Sequence, residues 1–205
     1  MDMLPVDHDS AERWRLGTDG ITVLATGDQT GGAIFAVEIR MPPGGGPPVM
    51  HRAGPLETYH VTSGEFAFYI AEPAGSVRRV VARAGDVVPL RGGTPHTIRN
   101  EGEDDATAFV VHSPAAVMEG FSRAAARLAA ETVGPPRMED VLELAQRHGV
   151  ELLGPDPGRG MSRVAVVTGG TAGIGRAVAV RLAAQGFGSS SSAGTASVAR
   201  RSSAS

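Results

Sequence analysis

Short runs of alternating apolar and polar residues, separated by turn-forming residues, fill the chain between positions 20 and 112. Such runs predict β-strands, because successive side chains of a strand point to opposite faces. The clearest run covers 57–63 and places Glu57, Tyr59 and Val61 on one face. Short strands at this even spacing are typical of an antiparallel barrel or sandwich. Further strands are predicted at 21–26, 33–40, 66–70, 76–82, 86–89 and 106–112.

The periodicity changes to that of helices after position 112. Four apolar residues fall on one stripe at helical spacing, namely Val117, Phe121, Ala125 and Leu128. We expect this helix to begin at Ser113-Pro114, with serine as the N-cap and proline at the first helical position, and to continue through Ala130. A second helix is predicted over 138–148, ended by Gly149. Both helices are expected to pack outside the barrel or to contribute to a dimer contact.

The composition favours a folded protein whose partners are neither nucleic acid nor membranes. Hydrophobic residues make up 41% of the 205 residues, enough for one domain with extensions or two small domains. The net charge of −3 does not favour binding to nucleic acid or to an anionic membrane surface. Cysteine is absent, which excludes disulfides, thiolate catalysis and cysteine zinc sites. Because neither a signal peptide nor a run of ~20 apolar residues is present, we expect a cytoplasmic location.

Two short stretches carry residues suited to sharing one metal ion. The first contains His51 and Glu57 and ends on Gly64. The second contains His96, followed by the polar residue Asn100. Imidazole nitrogens and a carboxylate, brought together from separate strands, are the ligands that Fe, Mn, Ni, Co and Zn require of a protein. The sequence therefore predicts a site for one divalent transition metal.

The spacing of these residues, within a segment from about position 21 to 112, resembles the paired motifs of the cupin superfamily, which are jelly-roll barrels with one metal inside. The first cupin motif usually supplies two histidines separated by one residue and a glutamate, and the second motif supplies another histidine. His51, Glu57 and His96 match three of these four ligands, whereas Ala53 stands where the second histidine belongs. The resemblance implies a three-ligand site for Fe, Mn, Ni or Co.

Two histidines and one carboxylate leave coordination positions for water, substrate or O₂. By this resemblance we expect a quercetinase-like, metal-dependent dioxygenase that acts on a small organic molecule. Glu57 is expected to serve as metal ligand and also as the catalytic base. A cupin that binds a small molecule without catalysis, and a cupin isomerase or epimerase, stay open as alternatives. A homodimer is expected because it is common among cupins.

Two alternatives concern the metal ligands themselves. In a shifted register, Met50 and Arg52 would occupy the two histidine positions and His51 would point outward, which would abolish the site. Alternatively, the barrel binds no metal, and the polar residues of the two motifs are retained from an ancestral site and satisfied by hydrogen bonds. We assign no metal role to His60, on the opposite strand face, or to His112, at a strand end.

A glycine-rich segment follows the predicted apolar strand 163–168. Its glycines, Gly169, Gly173 and Gly175, resemble the opening of a short-chain dehydrogenase/reductase, where they let the backbone approach NAD(P). The chain lacks the further strand–helix units of that family and contains no lysine for its catalysis. We therefore predict a truncated fragment without NAD(P), produced by read-through into a neighbouring reading frame.

The predicted fold class is an all-β jelly-roll (cupin) barrel with two C-terminal helices, followed by an isolated β-turn-α fragment and a tail. The predicted parts are the barrel at 1–113, a helical extension at 114–153, a linker at 154–160, a truncated Rossmann-like fragment at 161–187 and a disordered Ser-rich tail at 188–205.

Overall fold

The computed structural model describes residues 6–155 and, beyond them, three strands at Val164–Thr168, Ser189–Ser191 and Ala196–Arg200. The chain divides into two compact units, Met1–Gly158 and Arg159–Ser205. Eleven strands lie in the described part of the first unit. In chain order they are β1 (Arg13–Leu16), β2 (Asp19–Ala25), β3 (Phe35–Met41), β4 (Val49–Ala53), β5 (Leu56–Ser63), β6 (Glu65–Ala71), β7 (Val77–Arg83), β8 (Val87–Leu90), β9 (His96–Arg99), β10 (Ala106–Ser113) and β11 (Val150–Pro155).

These strands form two antiparallel sheets, as expected for a jelly-roll barrel. The six-stranded sheet has the order β1-β2-β3-β10-β5-β8, and the five-stranded sheet has the order β11-β4-β9-β6-β7. Side chains from both sheets fill one apolar core, in which the most deeply buried aromatic residues are Phe35, Phe66 and Phe68. The alternation predicted for β5 is confirmed, because Glu57, Tyr59 and Val61 are all buried.

Three helices accompany the sheets in the described residues: α1 (Gly27–Thr30), α2 (Ala116–Glu131) and α3 (Met138–Arg147). The helix start predicted at Ser113-Pro114 is wrong by two residues, because Ser113 still pairs with Leu56 in the β10–β5 ladder. Helix α2 packs against β1 and contributes Met118 to the core. The guanidinium of Arg123 on this helix stacks 4.8 Å from the centre of the Trp14 ring. Helix α3 ends before Gly149, whose φ of +71° suits glycine.

The second unit contains a three-stranded antiparallel sheet in the order β12 (Val164–Thr168), β14 (Ala196–Arg200) and β13 (Ser189–Ser191). The predicted strand at 163–168 is therefore present. Strands β13 and β14 lie within the segment 188–205, for which disorder is expected from the sequence, and β14 pairs with both β12 and β13. The glycine-rich turn and the helix predicted within 161–187 lie outside the described residues.

None of the helices in the described part of the chain combines the length and the apolar character needed to cross a membrane.

Candidate metal centre

The three residues predicted as metal ligands lie together inside the barrel. His51 on β4 and His96 on β9 are paired across the five-stranded sheet, and their ring centroids are 4.8 Å apart. Glu57 comes from β5 in the other sheet, and its Oε2 lies 3.5 Å from Nε2 of His96. One potential ligand atom from each residue lies within 4.8 Å of the other two. Their function as ligands stays a prediction, but the fold supplies the proximity that it requires.

The register of β4 turns His51 toward the site. Ala53, two residues further along the same strand face, belongs to the main core. Arg52 points the other way and is exposed, with its Nε donating to Glu151 Oε2 at 2.6 Å. The shifted register, which would place Arg52 inside and His51 outside, is therefore not the one adopted. Position 53 faces inward, but it carries only a methyl group.

Two glycines bring the loop before β9 against the turn between β4 and β5. The backbone N–H of Gly93 donates to the carbonyl of Ala53 at 2.7 Å. At Gly92 a Cβ atom would lie 2.0 Å from the carbonyl oxygen of Gly54, so any larger residue would force the two segments apart. This contact connects the segment that carries His96 directly to the segment that carries His51 and Glu57.

The imidazole of His96 is oriented with a free nitrogen toward the site. Its Nδ1 lies 2.9 Å from the carbonyl oxygen of Thr94, and a carbonyl can only accept a hydrogen bond. In the neutral ring this places the proton on Nδ1 and leaves the lone pair on Nε2. Nε2 is buried and has no hydrogen-bond partner among the described residues. His51 shows the same arrangement more loosely, with Nδ1 3.5 Å from the carbonyl oxygen of Val49.

Burial and mutual contacts set the protonation states of His51, Glu57 and His96. Burial, followed by the charge of His96, lowers the pKa of His51 from 6.5 to about 4. Burial alone would raise the pKa of Glu57, but the contact with His96 and the charge of His112 outweigh it and lower that pKa to about 2. Burial also opposes protonation of His96, yet the contact with Glu57 raises its pKa above the usual value. At neutral pH His51 is uncharged and Glu57 is ionised, as metal ligands must be.

Tyr59 holds the Glu57 carboxylate from the same strand. Its hydroxyl donates a hydrogen bond to Oε2 of Glu57 at 2.6 Å. Its ring packs edge-on against Phe68, with centroids 5.2 Å apart. Both residues are buried, so the carboxylate is fixed by a neighbour that solvent does not reach.

His112, which the sequence did not predict as a site residue, is buried beside Glu57. The two residues are directly paired between β10 and β5, and Nδ1 of His112 lies 3.7 Å from Oε2 of Glu57. The missed signal was the alternation of β10, in which His112 is in phase with the buried residues Ala106, Ala108 and Val110. His60 is exposed on the outer face, as predicted.

The donor set fits a divalent transition metal. Two imidazoles and one carboxylate match the nitrogen and oxygen ligands that such ions bind. The unpartnered, buried Nε2 of His96 supports this assignment, because buried polar atoms in folded proteins normally have a partner.

Similarity to known proteins covers part of the chain. Residues 37–112 match the family model described as "Cupin domain". A predicted oxalate decarboxylase from Thermotoga maritima is 21% identical with a TM-score of 0.48, over 54% of this chain and 99% of that chain. An RmlC-like cupin from Shewanella frigidimarina is 19% identical with a TM-score of 0.45, over 56% and 93%. A sugar phosphate isomerase from a cupin superfamily, from Silicibacter pomeroyi, is 22% identical with a TM-score of 0.45, over 54% and 75%. No curated protein matches this chain.

Proposed function

We propose that this chain, whose residues 37–112 match a cupin-domain model, is a metal-dependent, dioxygenase-like enzyme acting on a small organic molecule. The observation that carries the proposal is the cluster of His51, Glu57 and His96, whose ligand atoms lie within 4.8 Å of one another. A single Fe, Mn, Ni or Co ion is the cofactor that this donor set favours.

The residues of the site have separate tasks in this proposal. His51 and His96 would hold the ion through Nε2, because their Nδ1 atoms face backbone carbonyls that fix the ring orientation. Glu57 contributes the negative charge, and Tyr59 holds its carboxylate in place. The bound ion supplies Lewis acidity toward a substrate oxygen.

Glu57 is also the candidate catalytic base. It is ionised at neutral pH, because the contacts with His96 and His112 outweigh burial and lower its pKa to about 2. In this role it would accept a proton from a substrate hydroxyl held beside the ion, because a bound metal lowers the pKa of an oxygen that it contacts.

A second candidate function is a cupin that binds a small molecule without catalysis. The observation that favours it is Ala53, which faces the core at the position where cupins usually carry a fourth ligand. With that ligand missing, metal binding is weakened, and a barrel of this kind can retain a ligand pocket without turnover.

Oxygen uptake separates the two candidates. The protein is loaded with Fe, Mn, Ni or Co in turn and mixed with flavonols and related enols in an oxygen-electrode cell. The enzyme proposal predicts substrate-dependent oxygen consumption that His96→Ala abolishes and that the exposed-surface control His60→Ala retains. Bound metal without oxygen consumption or substrate conversion would favour the binding protein. Absence of bound metal would contradict a metal-dependent enzyme.

A further inference from the structure

We propose that His112 is a positioning residue of the metal centre, whose Nδ1–H holds the Glu57 carboxylate in the orientation that binds metal. This inference rests on the proposed function, because it assigns His112 to the same site. It also gives a reason why the centre tolerates alanine at position 53: a hydrogen bond from His112 restrains the carboxylate of a site that lacks one imidazole ligand.

The fold places His112 against Glu57 with little freedom to move elsewhere. The two residues are direct cross-strand partners in the β10–β5 ladder, so their side chains leave the sheet on the same face. The imidazole stacks on Phe35 with ring centroids 5.8 Å apart and an interplanar angle of 22°. Only 6% of His112 is exposed, so bulk solvent has little access to its ring.

The Nδ1 atom of His112 is buried without a hydrogen-bond partner among the described residues, which lowers the stability of the fold. A buried polar atom without a partner destabilises a fold, and such atoms in native proteins call for a functional explanation. The nearest carboxylate oxygen is Oε2 of Glu57, 3.7 Å away. That gap exceeds a usual N–H···O distance by about 0.8 Å, so a small shift of the carboxylate closes it.

Tyr59 and His112 approach the same carboxylate oxygen from different strands. Tyr59 donates to Oε2 from β5 at 2.6 Å, and His112 reaches it from β10. Carboxylates that bind metals are commonly fixed by hydrogen bonds from such surrounding groups. Two donors on Oε2 restrain the rotation of the Glu57 carboxylate, and they leave the remainder of the carboxylate for the ion.

The test compares metal affinity with the stability of the metal-free protein. His112→Phe keeps an aromatic ring against Phe35 but removes Nδ1. We expect metal binding, titrated with Mn²⁺ and Co²⁺, to weaken by about 10- to 100-fold. The Tm of the metal-free variant should stay equal or rise, because the change removes a buried, unpartnered polar atom. His112→Asn places an amide N–H near the position of Nδ1 and should bind metal nearly as well as the wild type.

His60→Phe is the matched control, since it makes the same substitution on the exposed face of β5 and should leave metal affinity unchanged. Wild-type affinity in His112→Phe would overturn the proposal. A complete loss in both His112 variants, equal to that of His96→Ala, would show that His112 is itself a ligand and would also overturn it. Equal losses of Tm in both His112 variants would show a structural role instead. If the wild type binds no metal, the proposed function fails first, and the role of His112 fails with it.

Discussion

His51 and His96 face each other directly across the β4–β9 pair, with their ring centroids 4.8 Å apart. The distance between these two imidazoles is therefore set by the pairing of two backbone segments that are far apart in the sequence. Glu57 reaches them from the other sheet, so the site exists only when the two sheets close on each other. The same closure buries His51, Glu57 and His96 and brings them into contact. Burial and these contacts together shift their pKa values.

Restoring the fourth ligand should strengthen metal binding at the expense of packing. Ala53→His adds an imidazole two residues from His51 on the same face of β4. We expect tighter binding of Mn²⁺ and Co²⁺ and a free energy of unfolding lower by about 1–3 kcal/mol in the metal-free protein, because Ala53 lies in a filled core. Metal titration and urea denaturation measure the two effects.

Ala53→Phe is the control for this substitution. It introduces a ring of similar size without a nitrogen, so it should lose stability but gain no affinity. Equal metal affinities of the histidine and phenylalanine variants would show that position 53 does not face the ion.

Removing the hydroxyl of Tyr59 should destabilise the protein through Glu57. Tyr59→Phe preserves the edge-on packing against Phe68 but removes the hydrogen bond to a buried, ionised carboxylate. Hydrogen bonds to charged groups contribute about 1.5–3 kcal/mol, and urea denaturation near neutral pH should show a loss of that size. Tyr69→Phe is the control, because its hydroxyl donates to the partly exposed Glu101, and it should lose only about 1 kcal/mol. Equal losses would contradict a special role for Tyr59.

Acid should destabilise the metal-free protein through His51. Burial, followed by the charge of His96, lowers the pKa of His51 from 6.5 in the unfolded chain to about 4 in the fold. The unfolded chain therefore binds the proton more readily, and the contribution of neutral His51 to stability is present above pH 6.5 and is lost as the pH falls toward 4. The urea midpoint should fall over this range, and it should fall less in His51→Gln.

His96 acts in the opposite direction. Burial lowers its pKa, but the contact with Glu57 outweighs burial and raises it, so protonated His96 stabilises the fold below its unfolded pKa and that contribution is lost as the pH rises. A urea midpoint that rises on acidification in the wild type would show that His96 dominates, and it would contradict the prediction for His51.

The long strands could be predicted from the sequence because their alternation is sustained. The predicted runs at 57–63, 66–70 and 106–112 differ from β5, β6 and β10 by at most one residue at either end. The strands β4 and β9, which carry His51 and His96, have only five and four residues and were missed. Such short segments do not show a period, and they become strands because partners from distant parts of the chain pair with them.

Only those residues of the candidate site that belong to the spaced motifs could be predicted from the sequence. His51, Glu57 and His96 were predicted from spacing, and the structure brings them together. His112 was missed because its importance depends on its pairing with Glu57. The register between two strands of a sheet depends on how whole sheet faces pack. A local sequence pattern does not contain this information.

The most direct test of the account is the metal content of the protein, purified without a histidine tag and measured by inductively coupled plasma mass spectrometry. We predict close to one transition-metal ion per chain in the wild type and its loss in His96→Ala, since that change removes the most deeply buried imidazole ligand. His60→Ala, changed only on the exposed face, should retain the ion. A wild type without metal, even after reconstitution with Fe, Mn, Ni and Co, would contradict the central claim.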